Sequence, residues 1–367
     1  MSLNSLTIQH FRNIEQAEFE LHPDINLIFG ENGSGKTSLL EAIQYLSSGK
    51  SFRTRNLSPL IQQGSDALTI AADVTHDGLK HRIGIRRSSQ RIIRRIDNIN
   101  IPNQVEFSRL LPVRTLHPDS HLLISSSPGL RRRYMDWGCF YHNDNFYKHW
   151  HASHTLLKQR SACLKQGNTS SKKLISSIDQ QFIHHALIID QIRASYLEQL
   201  KPIAERFAND LIKGFESLSI KYQRGWNPEM ALQDVLKDAL PKDLRYKRTH
   251  HGPHRADFSV KMNNADVKST ASRGQQKLIA FVLTLSQLNL YEKKKNGSAL
   301  LMIDDLASEL DQDHQESFLN IIQSLNHQTI LTAINPKLIN LSGWNQDGKM
   351  FHVKQGVIKE TEVSRET

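Results

Sequence analysis

The segment Gly30-Glu31-Asn32-Gly33-Ser34-Gly35-Lys36-Thr37 has the spacing G-x-x-x-x-G-K-T, and far downstream stands Leu300-Leu301-Met302-Ile303-Asp304-Asp305. Together these residue types can hold ATP and Mg²⁺. Glycines let successive backbone N–H groups turn inward around phosphates, Lys36 offers a cation to the β/γ oxygens, and Thr37 offers a hydroxyl to the metal. Asp304, closing an apolar run, is expected to hold Mg²⁺ directly or through water. Asp305, the next carboxylate out, is placed to orient or deprotonate an attacking water. A glycine-rich turn alone is weak evidence, because glycine serves many tight turns. The full octapeptide between a strand and a helix is far more specific. For the aspartates, the plain alternative is a strand ending in solvated acidic turn residues.

A third segment, Ser269-Thr270-Ala271-Ser272-Arg273-Gly274-Gln275-Gln276-Lys277, precedes a helix carrying Leu278, Ile279, Phe281, Val282 and Leu285. Ser272 can act simply as the N-cap. The same geometry makes a second anion-binding helix end, with a serine hydroxyl and a bare glycine N–H. One molecule seldom needs two such ends for one triphosphate, whereas two molecules facing each other would use both.

These groups need a scaffold. Ile25, Leu27, Ile28 and Phe29 form a β-prone run before the glycine loop, and Leu39, Leu40, Ala42, Ile43 and Leu46 follow at helical spacing. Leu300–Ile303 reads as a central parallel strand buried on both faces. From Leu3 to Leu116 the pattern is strand-rich and includes a basic hairpin, His81–Arg87 and Arg91–Ile96 around Ser88-Ser89-Gln90. From Pro128 to Phe215 it is helical. Ile175, Ile178, Phe182, Ile189, Ile192, Tyr196, Leu200, Ile203, Phe207 and Leu211 recur mostly at steps of three or four, one buried stripe that Pro202 should kink or split. Gln166–Ser171 reads as the turn before it. The expected organisation is an N-terminal ATPase part over 1–116, an inserted helical arm over 117–250, and a C-terminal ATPase part over 251–367.

Lys+Arg 47 against Asp+Glu 37 in 367 residues gives a formal charge of +10, which favours a polyanionic partner. Arg53, Arg55, Arg82, Arg86, Arg87, Arg91, Arg94 and Arg95 are the candidates for DNA phosphate contacts, against a solvated basic sheet face. The two cysteines, Cys139 and Cys163, sit in no metal or disulfide pattern. The amino-terminal residues lack a secretory apolar stretch, and Leu278–Leu290 is too short and too interrupted to span a bilayer. A cytoplasmic protein with no membrane partner is expected. His250, His251 and His254 invite a zinc reading that lacks further ligands at suitable spacing. Trp137, Phe140, Tyr141, Phe146, Tyr147 and Trp150 read as core of the insertion ahead of a base-stacking platform.

Taken together, the loop Gly30–Thr37, Ser272-Arg273-Gly274-Gln275, Asp304-Asp305 and Ser308-Glu309-Leu310-Asp311 resemble an ATP-binding-cassette ATPase. Leu6-x-Ile8-x-x-Phe11-Arg12-Asn13 resembles the DNA-acting branch that includes Rad50 and the structural-maintenance-of-chromosomes (SMC) proteins. Arg131–Trp137 and His251–Asp257 narrow the similarity to the RecF family of bacterial recombination mediators. That resemblance implies an α/β fold, an ABC-type P-loop ATPase head with a mixed, largely parallel sheet core and an inserted helical arm. It implies an ATP-dependent homodimer sandwiching two nucleotides. Gly30, Asn32, Gly33, Gly35, Lys36, Thr37 and Ser38 of one chain and Ser272 and Gly274 of the other would grip each, with Arg12 and Asn13 touching it and Asp311 in a loop crossing the interface. Thr37 and Asp304 would hold Mg²⁺, and Lys36, Asp304 and Asp305 would serve slow, DNA-stimulated hydrolysis.

The implied role is a clamp on gapped or junction double-stranded DNA in recombinational repair and replication restart, promoting RecA loading with RecO and RecR. Departures from the cassette pattern point to slow turnover: Asp305 for the usual Glu, Arg273 for the usual Gly, and no histidine ending Thr329–Asn335. The loop glutamine has no secure equivalent, with Gln62 and Gln63 as candidates and His117-Pro118-Asp119 in a stretch where relatives carry an acidic residue. Relatives often have two acidic residues after His-Arg, where this chain has Ala256-Asp257. The alternatives are a chromosome-structure ATPase, which needs long heptad arms, a transporter subunit, which needs a regular signature and a switch histidine, and a nucleotide kinase.

Overall fold

A computed structural model describes residues 1–54, 56–295, 297–310, 312–339 and 348–361, the side chains of 169–171, 309 and 313 excepted. The chain forms two compact units, Met1–Ser120 with Tyr291–Thr367, and His121–Leu290.

The first unit is built on two sheets. In one, Ile25–Phe29 lies between Gln328–Ala333 and Gly348–Lys354, and the order continues through Leu300–Ile303 to Val113–Leu116. These five strands are parallel, and Val357–Thr361 adds an antiparallel edge. Leu300–Ile303 and Gln328–Ala333 are buried along their whole length, which is why they read as unbroken apolar or neutral runs. The other sheet is antiparallel, in the order Ile14–Glu20, Ser2–Phe11, Ala67–His76, Leu79–Ser88, Ile92–Ile96, Ile99–Asn100. Its inner face carries Leu6, Ile8, Ile70, Ile83 and Ile85. These share one core with Leu39, Leu40, Ile43 and Leu46 of helix Lys36–Ser48 and with Met302 and Ile330. The mixed, largely parallel core expected from the sequence is present.

The second unit is mainly helical: Pro128–His142, Phe146–Gln166, Thr169–Leu211 and Leu232–Tyr246. Gly167, at φ 68°, closes the second of these in the left-handed conformation that glycine adopts without strain. Thr169–Leu211 runs unbroken through Pro202, so no split occurs there. Pro202 lies on the exposed side of the helix, while Leu200, Ile203, Ala204 and Phe207 on the other side are buried, and that packing offsets the missing hydrogen bond. The stripe departs from expectation at one step. Ile192 is only half-buried, and the buried position beside it belongs to Arg193.

The units divide the chain at Ser120 and Leu290, not at 116 and 250. Residues 251–290 therefore belong with the helical unit. The reason is strand pairing: Asp257–Met262 lies antiparallel to Leu218–Gln223 and carries Ala265–Asp266 on its other edge. Two cross-sequence ion pairs add to it. Arg131 makes a forked contact with Asp257 at 2.7 and 2.9 Å, and Arg193 meets Asp136 at 2.7 Å while donating to the Pro253 carbonyl.

The aromatic group behaves as packing. Tyr141 and Phe146 are buried, and the Trp150 indole donates to Asp136. His250 pairs with Asp243 and His254 contacts the Thr249 carbonyl. Among the described residues no helix is long and apolar enough to cross a membrane.

Candidate nucleotide site

Strand Ile25–Phe29 delivers the chain to Gly30, whose N–H donates to the Ala333 carbonyl. Gly30 has φ 155°, and a Cβ there would collide with the Val353 carbonyl oxygen, so a side chain is excluded by both backbone and neighbour. Helix Lys36–Ser48 then begins at Gly35 with no side-chain cap. Its first-turn N–H groups are thus left for an external acceptor, at the positive end of the helix dipole. The Ser34 hydroxyl is buried and lacks a hydrogen-bond partner among the described residues. An uncapped helix end and an orphaned hydroxyl in one loop fit a bound phosphate group. Glu31, Asn32 and Gly33 form the exposed tip of the loop.

Lys36 folds back over the loop, its Nζ donating to the Gly30 carbonyl at 2.5 Å and to Glu31 at 3.0 Å. Burial pulls its pKa below the usual lysine range, and the charges of Asp305 and Asp304 act against that shift. Thr37 Oγ1 lies 3.0 Å from each oxygen of Asp304, and Thr332 Oγ1 donates to the same carboxylate at 2.9 Å. Burial raises the Asp304 pKa, and the two hydroxyls, the Asp305 charge and Lys36 modify that rise. An oxygen-only corner of one carboxylate and two hydroxyls suits a hard divalent cation, so the residues present fit ATP with its Mg²⁺. Asp305 takes a left-handed φ of 56°, its N–H bonded to Thr332 Oγ1 and its carboxylate to Ser308. Parallel pairing puts both aspartates at the carboxyl edge of the sheet, where the glycine loop also emerges. Leu116 accepts from Asp304 N–H, so His117-Pro118-Asp119 leaves the sheet beside this edge; Gln62 instead lies against His10.

Asn13 acts as a strap in the structure. It donates to the Gly33 carbonyl, accepts from Ser38, and has its side chain packed over Gly35. Arg12 is clasped by Glu41 through two bonds of 2.9 and 2.7 Å; Ser51 also donates to Glu41, and Arg53 stands 3.6 Å away. Glu41 and Thr332 are site residues that no sequence motif singled out. The signal for Glu41 was a carboxylate on the apolar face of the loop's own helix.

The arginine candidates do not share one surface. Register across Leu79–Ser88 and Ile92–Ile96 puts Arg82, Arg86 and Arg95 on one face. Arg87 and Arg94 lie on the opposite face, reaching Tyr45 and Gln104. Arg91 is exposed next to the turn, and Arg82 is paired with Asp73. Arg55 and Asp311 lie outside the described residues.

In the second unit, Ser272–Gln275 forms a capping box at the head of helix Arg273–Lys295. Gln275 N–H donates to Ser272 Oγ at 3.2 Å, and Ser272 N–H to Gln275 Oε1 at 2.9 Å. All four residues are exposed, and a Cβ at Gly274 would find no heavy atom nearer than 3.9 Å.

A family model described as RecF/RecN/SMC N terminal domain matches residues 2–359. The chain is 36% identical to the DNA replication and repair protein RecF of Thioalkalivibrio sulfidiphilus, covering 98% of this chain and 99% of the relative. It is 38% identical to that of Hydrogenovibrio crunogenus, covering 96% and 97%. A solved structure of the recombination mediator protein RecF with ATP, of the RecFOR pathway, superposes with TM-score 0.86 at 25% identity over 98% of both chains. An Smc head domain from Pyrococcus furiosus shares the fold alone, with TM-score 0.58 at 15% identity over 98% and 96%. With full-length similarity on these terms, and with the glycine loop and the Asp304 corner folded on one sheet edge, the chain belongs to the RecF family.

Proposed function

We propose that the protein is an ATP-switched dimeric clamp on DNA, working in replication and repair as its family does. The observation that carries this is the Ser272–Gly274 helix end, which is exposed and open at Gly274 and could turn from its own Ser272 cap to a second copy's nucleotide, in a chain that already has a complete phosphate loop. One protomer's Gly30–Ser38 segment would bind ATP, and Ser272 and Gly274 of a second copy would close over the γ-phosphate. Lys36 would leave the loop carbonyls for phosphate oxygens, and Thr37 and Asp304 would take Mg²⁺. Bound ATP·Mg²⁺ supplies the phosphoanhydride and the cation that neutralises its charge. Asp305 would orient the attacking water, and its shorter reach than glutamate supports slow turnover. Arg12 would be presented to the nucleotide by Glu41. DNA would lie along the face carrying Arg82, Arg86 and Arg95, with binding at gaps or junctions and DNA-stimulated hydrolysis. RecO and RecR as partners, and RecA loading as the outcome, complete the proposal.

Sedimentation velocity tests the shared site. ATP·Mg²⁺ should double the mass of the wild-type protein. Ser272→Arg should keep ATP binding and stay monomeric, and a Ser272→Arg variant that dimerises normally would remove the shared site. The DNA face is tested by Arg82→Glu, Arg86→Glu and Arg95→Glu. Binding should weaken, with a salt slope shallower by about 0.9 for each DNA phosphate no longer neutralised.

A further inference from the structure

The helical unit carries a group of side chains that the nucleotide reading does not use. His149 projects from helix Phe146–Gln166, and His184 and His185 from helix Thr169–Leu211. One ring nitrogen from each lies within 4.8 Å of the other two. His149 Nδ1 and His185 Nδ1 are 2.9 Å apart, so one must hold a proton and the other a lone pair. Ring centroids are 5.1 Å apart for His149 and His185, 6.0 Å for His149 and His184, and 5.1 Å for His184 and His185.

We propose that His149, His184 and His185 form a binding site for a divalent transition metal of the Zn²⁺ class, stapling helices Phe146–Gln166 and Thr169–Leu211 together. Tetrahedral coordination with metal–nitrogen bonds of about 2.0–2.1 Å needs nitrogens roughly 3.3 Å apart. The closest pair is already nearer than that, and a nitrogen of the third ring, on the exposed His184, stands within 4.8 Å of both. On binding, the shared Nδ1 proton moves to the Nε2 of its own ring. Both neutral imidazoles then present a lone pair, and no net proton is released.

The donor set also selects the ion. Three imidazoles without a carboxylate suit Zn²⁺, Ni²⁺, Co²⁺ or Cu²⁺ and give no hold on Mg²⁺ or Ca²⁺, which require oxygen. Lys148 is the charged neighbour, and its positive charge opposes any ion held by electrostatics alone. A fourth position would be left to water, as in sites with three protein ligands.

Untagged full-length protein, without nucleotide, is titrated with Zn²⁺ against a chromophoric chelator. One site per chain should appear, weakened at least tenfold by His149→Ala or His185→Ala and unchanged by His151→Ala, which alters a histidine outside the group. Co²⁺ should give a visible d–d band in the wild type and none in His149→Ala. Zn²⁺ should raise Tm of the wild type and of His151→Ala but not of His185→Gln, a variant that keeps a polar side chain of similar length. Equal Zn²⁺ affinity in the wild type, His149→Ala and His185→Ala would overturn the proposal. So would wild-type protein that binds no Zn²⁺ at micromolar concentration.

Discussion

Buried carboxylates have opposite surroundings in the two units. In the helical unit the buried Asp243 and Asp190 and the half-buried Asp257, Asp136 and Asp179 are each met by a guanidinium: Asp243 and Asp179 by Arg160, Asp190 by Arg224, Asp257 by Arg131 and Asp136 by Arg193. Arg160 is fully buried, and its forked group also donates to Thr249. Charge is cancelled inside the unit, so these residues hold the fold. In the first unit, among the described residues, Asp304 takes its side-chain hydrogen bonds from the hydroxyls of Thr37 and Thr332, with Asp305 next to it. Lys36, the available cation, bonds to loop carbonyls. That corner keeps a negative charge without an arginine. An internally neutralised carboxylate marks architecture, and one answered only by hydroxyls marks a place for something from outside. Glu41 lies between the two kinds: Arg12 neutralises it within the first unit, and the pair sits on the glycine loop's own helix beside the site.

Substitution should separate the two kinds. Arg160→Ala leaves Asp243 buried without its cation and should cost about 3–5 kcal/mol of stability, read by urea unfolding. If the loss is below ~1 kcal/mol, the pairing is not structural. Asp304→Asn should behave in the reverse sense. ATP hydrolysis should fall about 100-fold or more, ~3 kcal/mol in the barrier, while Tm stays level or rises. The sign follows from Asp304's raised pKa. Ionisation is disfavoured in the folded state, so its carboxylate contributes more stability as pH falls through the folded pKa, and removing the charge relieves a penalty at pH 7. A lower Tm for Asp304→Asn would erase the contrast.

A smaller effect concerns His254, whose pKa burial pushes down to about 4. Below about pH 6.5 the unfolded chain takes up a proton that the folded chain refuses, so stability is lost as pH falls toward 4. At pH 5 the loss from this residue should be about 2 kcal/mol. His254→Asn should flatten that part of the profile; an unchanged profile would show that His254 does not titrate this way.

Much of the first unit could be read from local pattern. Leu300–Ile303 is apolar at every position because both faces are covered, and the glycine loop sits between a strand and a helix whose spacings announce themselves. The long helix of the second unit was legible from its stripe. What escaped was pairing over distance. Nothing near Arg193 reveals that Asp136 would allow it into a buried position, and nothing near Glu41 points to Arg12. The boundary expected at 250 failed for the same reason, since Asp257–Met262 finds its partner strand upstream. Ser272 was read as either a cap or an anion site. The structure shows the cap, with Gln275 reciprocating, and the second role depends on a molecule other than this chain.

The position of Ile25–Phe29 has a consequence for biosynthesis. Both strands that flank it, Gln328–Ala333 and Gly348–Lys354, come from the far end of the polypeptide. A ribosome must therefore release most of the chain before this strand can find either neighbour, while the contiguous helical unit has all its own residues much earlier. Nascent protein should pass through a stage with a finished arm and an unzipped ATPase sheet, its apolar strand exposed to chaperones or to misassembly.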